Sequence, residues 1–330
     1  MIQVYPGIFQ TQIPLLGNPL KELNCFIVKG DERSLVVDTG FNQPEGRKLL
    51  LDSLQELDCP LARTDVFITH LHSDHAGLTG AVKNEKNKAY ASAYDADAIN
   101  RPFRERAKGD APLAMRMSDE MGFPKNPGER LETTSHPGIK NRSEREIGFT
   151  IVKEGDRLDY GDFHFEVIDI AGHTPGQVGL YDREKKVMFC GDHILGKITP
   201  NITFWSFELD SLGQYLQNLK KVRDMEVLHL FSAHRYLVDD HRARIDALFA
   251  HHARRLDEVR SIISKAPSSP YDTAAQMTWD FAGGVFENFP VAQKWFAAGE
   301  AMSHLEHLYH TGEATRAGGE GEALLYAMKR

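Results

Sequence analysis

The chain has 330 residues, more than the ~100–200 of a usual compact domain, so one large domain or one domain with an appendage is expected. Hydrophobic residues make up 41% and charged residues 26%, ordinary values for a soluble globular protein, and no apolar run reaches the ~18 residues that span a bilayer. With 39 Lys and Arg against 47 Asp and Glu, the net charge of −8 argues against nucleic acid or an anionic membrane as the general partner. Met1 to Gly7 lacks the basic-then-apolar pattern of a signal peptide. Cys25, Cys59 and Cys190 are scattered and odd in number, which fits neither a disulfide framework nor a thiolate metal site. A reducing cytoplasm is the expected compartment.

The first third reads as strands and turns. Cys25–Val28 and Ser34–Val37 are apolar runs around a polar turn, a hairpin that ends in Asp38-Thr39-Gly40. Leu50, Leu51, Leu54 and Leu57 have helical spacing within Arg47–Leu57. Asp65–Thr69 is a short buried strand leading into His70. Strands alternating with helices give the α/β class. From about Ala96 to Glu154 Pro and Gly are frequent, and only Ala114–Met121 reads as helix. Arg101 to Arg145 holds ten Lys or Arg and seven Asp or Glu, so this stretch is expected to be an insertion over the main domain, either a solvated surface excursion or a lid that meets an anionic substrate. Strands return at Phe163–Ile168, Val178–Tyr181, Val187–Cys190 and Val227–Phe231.

After Asp240 the pattern turns helical. Ile245, Leu248, Phe249, Leu256, Val259 and Ile263 mark one long face that stops before Pro267. A second helix is expected from Asp272 or Thr273 to Gly283-Gly284, a third over Val291–His310, and a hairpin over Ala314–Ala327. Three helices and a hairpin make a winged-helix pattern. Residues 1–240 are thus read as the catalytic domain, with the insertion at about 96–154, and 241–330 as a winged-helix-like helical module. Residues 245–330 carry eight basic and eleven acidic residues, unlike a phosphate-gripping winged helix, so packing or homo-oligomerisation is its expected role.

The chemistry gathers at Thr69-His70-Leu71-His72-Ser73-Asp74-His75-Ala76-Gly77. Imidazole nitrogen and carboxylate oxygen are ligands of zinc and iron, and four such groups are costly to bury without an ion. The alternation of His70 and His72 suits an extended backbone that aims both at one ion, and Asp74 and His75 can turn to another. His173 lies in the small-residue turn Ala171–Gly176, Asp192 follows Cys190-Gly191 at a strand end, and His234 follows Ser232-Ala233.

This ordered set, H-x-H-x-D-H, a GH turn, a GD turn and a final His, resembles the metallo-β-lactamase superfamily over roughly residues 1–240. The resemblance implies a four-layer αβ/βα sandwich with the site at the shared edge of its sheets. It implies one metal on His70, His72 and His173, another on Asp74, His75 and His234, and Asp192 bridging both, with Asp38 behind the ligands. Thr69 and Thr174 are expected to support the ligands. Zinc β-lactamases of this family typically lack His75 or the bridging Asp192, and flavin-linked di-iron oxygen reductases have Glu at the position of His72. The full set is similar to that of glyoxalase II-like thioesterases, while the tail resembles a winged-helix-bearing branch that includes endoribonucleases.

The expected activity is therefore metal-dependent hydrolysis of a small ester, thioester or lactone by a hydroxide bridging two divalent ions, with Asp74 and Asp192 as catalytic residues. Zinc is the expected metal, although the same ligands accept iron or manganese. A metal-dependent endoribonuclease or phosphodiesterase and a mononuclear iron persulfide dioxygenase are the alternatives.

Overall fold

The structure is a computed structural model and describes residues 1–108, 113–125, 141–280, 285–319 and 322–329. Seven strands form one sheet in chain order: β1 (Ile2–Tyr5), β2 (Ile8–Pro14), β3 (Glu22–Val28), β4 (Ser34–Val37), β5 (Thr64–Phe67), β6 (Ala89–Ser92) and β7 (Thr150–Val152). β1 to β4 pair antiparallel and β4 to β7 pair parallel. Every residue of β4, β5 and β6 is buried, as parallel-paired strands covered on both faces are, and β6 is a strand that the sequence reading does not single out. A second sheet has the order β12-β11-β10-β9-β8, built from β8 (Arg157–Tyr160), β9 (Phe163–Asp169), β10 (Val178–Asp182), β11 (Val187–Gly191) and β12 (His229–Ser232). Here only β11 and β12 run parallel.

The helices are α1 (Pro44–Glu56), α2 (Ser73–Ala76), α3 (Thr79–Val82), α4 (Ala93–Lys108), α5 (Leu113–Glu120), α6 (Ser211–Asp224), α7 (His241–Lys265), α8 (Pro270–Gln276) and α9 (Val291–His310). A last pair of strands, β13 (Ala314–Ala317) and β14 (Leu325–Met328), forms an antiparallel hairpin. Three apolar clusters separate four layers. Cys25, Ile27, Val36 and Val66 pack on Leu50 and Leu54 of α1 outside the first sheet. Phe26, Val37 and Phe67 meet Phe165, Val167, Leu180 and Phe189 between the sheets. Met188 and Cys190 point away from Phe189, as strand neighbours must, into a third cluster with Tyr215 of α6, Ile245 and Val259 of α7 and Leu305 of α9. That cluster continues to Tyr326 of β14, so one core joins the second sheet to the C-terminal helices. The result is the αβ/βα sandwich expected from the sequence.

Four readings differ in detail. The segment Ala93–Lys108 is one helix that follows directly on β6; Pro102 inside it masks the helical signal. The chain in α1 turns helical at Pro44, where a first-turn proline needs no N–H partner. Helix α8 begins at Pro270 because the Ser269 side chain accepts from Asp272 N, and it ends at Gln276 rather than at Gly283-Gly284, residues that lie outside those described. Helix α6, capped by Asp210 and buried through Leu212, Tyr215, Leu219 and Val222, lies between β11 and β12 in the chain, where the sequence reading places no helix. The third C-terminal helix spans Val291–His310 as its spacing implies.

Candidate metal centre

Strand β5 ends at Phe67, and the next turns carry four of the expected ligands. His72 has extended backbone, φ −62° and ψ 145°, and precedes α2, whose single turn presents Asp74 and His75. The other three arrive from the second sheet. His173 sits in the β9–β10 turn, Asp192 directly after β11, and His234 two residues past β12. Two glycines permit the approach. A Cβ on Gly172, at φ +139°, would stand 2.5 Å from Tyr215 Cα, and one on Gly191, at φ +51°, would stand 2.5 Å from Thr69 Oγ1.

Three imidazole nitrogens converge: His72 Nδ1 lies 3.0 Å from both His70 Nε2 and His173 Nε2. On the other side His75 Nε2 lies 3.5 Å and His234 Nε2 3.4 Å from Asp192 Oδ1, with Asp74 Oδ2 3.5 Å from His234 Nε2. The second oxygen of Asp192, Oδ2, faces His173 Nε2 at 3.7 Å. The seven residues predicted as ligands are therefore together, and all but His72 are buried.

The outward ring nitrogens of His70, His75, His173 and His234 are engaged. His75 Nδ1 donates to Asp38 Oδ2 at 2.7 Å, His173 Nδ1 to Asn201 O at 2.7 Å and His234 Nδ1 to Glu22 O at 2.9 Å. Thr69 Oγ1 donates to Asp38 Oδ2 at 2.7 Å and lies 3.1 Å from His70 Nδ1. Asp38 accepts a third bond, from Thr69 N at 2.8 Å, while its own backbone is left-handed with φ 57°, a conformation Asp tolerates better than most residues. These bonds fix each tautomer and leave Nε2 of His70, His75, His173 and His234 facing inward. Asn24 clamps the last ligand loop, its Nδ2 donating to Ser232 O at 3.1 Å and its N to Ala233 O at 2.7 Å.

Burial, the largest influence on both His70 and His173, holds each below the ordinary imidazole range. Burial also pulls His75 down, but Asp38, Asp192 and Asp74 together outweigh it and raise it well above that range. Burial would raise Asp192; His234 and His75 overcome it and hold the carboxyl far below the usual range.

The residues fit divalent ions. Nitrogens held ~2.0–2.1 Å from one tetrahedral ion stand about 3.3 Å apart, close to the 3.0 Å that separates His72 Nδ1 from each of the other two. His75 Nε2, His234 Nε2 and Asp192 Oδ1 are buried without a hydrogen-bond partner, a costly arrangement that a shared cation would resolve. The donor set is imidazole and carboxylate throughout, suited to zinc, iron or manganese.

Three supports lie outside the sequence-level reading. Asp95, at the start of α4, accepts from Thr174 Oγ1 at 3.0 Å and faces the backbone N–H groups of Leu71 and Gly176, so it ties the His70–His72 turn to the His173 turn. Thr174 thus acts through Asp95. Gln177, with its side-chain oxygen turned to the Asp192 turn, accepts from Asp192 N and His193 N at 3.1 Å. Trp205 donates from Nε1 to His173 O at 3.0 Å, and its ring lies 6.2 Å from that of His72 and 6.5 Å from that of Tyr94.

Among the described residues no helix is long and apolar enough to cross a membrane. The chain is 24% identical over 321 residues to a probable metallo-hydrolase, YqjP, of Bacillus subtilis, covering 92% of this chain and 93% of that one. It is 32% identical over 179 residues to the acyl-coenzyme A thioesterase MBLAC2 of Gallus gallus, covering 51% of this chain and 56% of that protein. A crystal structure of a metallo-beta-lactamase family protein from Thermus thermophilus shares the fold with a TM-score of 0.79 at 22% identity, over 99% of this chain and 100% of that one. Residues 256–329 match the metallo-beta-lactamase-like C-terminal domain family. Residues 21–234 match the metallo-beta-lactamase superfamily, and the chain belongs to it as a metal-dependent hydrolase.

Proposed function

We propose that this hydrolase cleaves a small acyl thioester at a centre of two divalent ions, with esters and lactones as lesser substrates. The carrying observation is Asp192, whose oxygens face separate imidazole groups, Oδ2 toward His173 and Oδ1 toward His75 and His234. Such ions, when bound, lower the pKa of a shared water toward ~7 and polarise the attacked carbonyl. Asp192 keeps the two groups of ligands in register. Asp74, with Oδ2 toward His234, orients the attacking water and accepts its proton at the carboxylate. A thiol of pKa ≈ 8.5 departs readily as thiolate, so a thioester asks less of a general acid than an amide does. Trp205 and Tyr94 supply an aromatic wall beside His72.

A cysteine nucleophile has no support. Cys25, Cys59 and Cys190 are buried, and burial pushes the Cys190 thiol up to about 12. The relatives whose names state an activity include acyl-coenzyme A thioesterases and a hydroxyacylglutathione hydrolase of Haemophilus influenzae, which favours a thioester. The phosphodiester reading draws little from the tail, where Arg255, Arg260 and Arg316 are tied to Glu258, Glu313 and Glu306. We take zinc as the ion, an anionic small molecule as substrate, the cytoplasm as the compartment and the acidic, winged-helix-like tail as a packing or self-association module.

Metal analysis together with thioester, lactone and phosphodiester substrates tests this. Two ions per chain and highest kcat/KM on a thioester are expected. One iron per chain with oxygen consumption, or preferential cleavage of a phosphodiester, would overturn it.

A further inference from the structure

Among the described residues, the C-terminal module reaches the His173 turn through residues 201–205. Residues 201–205 run between His173 and α9. On the inner side Asn201 O accepts from His173 Nδ1 at 2.7 Å, and Trp205 Nε1 donates to His173 O at 3.0 Å. On the outer side Asn201 Nδ2 donates to Glu300 Oε2 at 3.0 Å and Phe204 N to Gly299 O at 3.1 Å, both in α9. Gly299 is the residue that allows this contact: a Cβ there would stand 2.3 Å from Thr203 Oγ1. Glu300 is itself held. Its Oε1 lies 3.5 Å from Arg255 Nε of α7, with the two side chains 13% and 6% exposed. The Arg255 guanidinium also stacks 4.2 Å over the Trp279 ring. Ile202 and Phe204 anchor the same segment in the core shared with Ala298 and Met302.

The path is short and each link is directional. A backbone carbonyl can only accept, so the Asn201 carbonyl selects the His173 tautomer with hydrogen on Nδ1 and leaves the Nε2 lone pair inward. The direction of that carbonyl is set by the Asn201 peptide, whose side chain is fixed by a carboxylate from another module. We propose that Glu300 is a positioning residue for His173, acting through the Asn201–Trp205 segment, so that the C-terminal module completes the metal centre. This rests on the two-metal reading only for its consequence at the metal. Its effect on the His173 ring does not need an ion.

The test uses the full chain with Glu300→Ala, Glu300→Gln and, as a control elsewhere in the module, Glu313→Ala, which breaks the surface pair with Arg260. Long-range ¹H–¹⁵N spectra of metal-free protein report the histidine tautomers, with His173 assigned by its loss in His173→Gln. Wild type and Glu300→Gln, whose amide oxygen still accepts from Asn201, should show the Nδ1–H form. Glu300→Ala should show a tautomer mixture, while Glu313→Ala should match wild type. Chelator competition against cobalt should then show Glu300→Ala weakening one of two cobalt equivalents by about 10–100-fold, the scale of a lost ligand support. An unchanged His173 signal in Glu300→Ala would overturn the proposal. Equal weakening of both equivalents, in step with the fall in Tm, would also overturn it and make Glu300 merely structural. A wild-type chain that takes up a single cobalt refutes the two-metal reading, while the tautomer result still decides the role of Glu300.

Discussion

Asp38 Oδ2 accepts from His75 Nδ1 at 2.7 Å while the Asp38 backbone is held left-handed at φ 57°. The same carboxylate takes both donors of Thr69, so it fixes a ligand and the turn that carries His70. Strain of this kind persists where surrounding bonds over-determine it. Asp38→Ala should lower metal affinity by about 10–100-fold, measured by chelator competition. Asp38→Asn, which tolerates the backbone but carries no charge, should fall between. An Asp38→Ala protein with wild-type affinity would mean that the carboxylate does not orient His75.

Asp192→Ala removes the group that faces both sets of imidazoles. Metal content should drop and kcat should fall by at least about 10²-fold, a loss of about 2.7 kcal/mol in transition-state stabilisation. Far-ultraviolet circular dichroism should stay near wild type, because Asp192 stands after β11 and makes no strand pairing of its own. Retention of both ions and of turnover would remove Asp192 from the centre.

The candidate ligands stand out in the sequence because each lies at a chain reversal with little else to explain it: a cluster at 70–75, a GH turn, a GD turn and a final His after a strand. Their supports are not. Asn201 acts through a backbone carbonyl, which leaves no mark in a side chain. Asp95 lies where Pro102 hides the helical period. The strand β2, Ile-Phe-Gln-Thr-Gln-Ile-Pro, is rich in polar residues because Gln10 and Thr11 are buried with side-chain partners Asn24 and Ser53. Composition cannot reveal partners that distant.

Asp210 links the catalytic sandwich to the tail. It caps α6 through Gly213 N at 2.8 Å and meets His307 Nδ1 of α9 at 2.9 Å. Burial would raise its pKa, but His307 and the Gly213 N–H outweigh this and lower it. A carboxyl lowered on folding stabilises the protein above the ordinary carboxylate range and loses that contribution as pH falls through its folded value. Asp210→Ala should therefore cost about 0.5–2 kcal/mol at pH 7, the range for losing a cap, by urea denaturation. The gap from wild type should close as pH falls below about 4. A gap that persists at low pH would assign the loss to packing alone.

Two basic residues of the stretch after β6 are paired with an acid. Arg101 and Arg104 both bind Asp97, at 3.1 and 2.7 Å, and the Arg106 side chain lies outside the described residues. Arg101→Glu with Arg104→Glu should still raise KM for an anionic thioester more than for a neutral one, through the field at the mouth of the site. Equal changes for both substrates would make this helix surface only.

Removing the tail before Ile245 should expose a core, since Met188 and Tyr215 share one cluster with Ile245, Leu305 and Tyr326. Calorimetry of the full chain should show one transition, and the truncated chain should aggregate on light scattering. Two separate transitions would mean that the module folds alone. Submicromolar, salt-sensitive binding of RNA by the intact chain would overturn its packing role.

The clamp that Asn24 places on Ser232 and Ala233 bears on the order of events during synthesis. A chain emerging from the ribosome releases His70, His72, Asp74 and His75 long before His173, Asp192 and His234. The His234 turn must then travel back to β3, a strand made some 200 residues earlier. A nascent chain can thus hold ions only loosely through its first cluster. The full set of candidate ligands is complete only after the last of them has left the tunnel and docked.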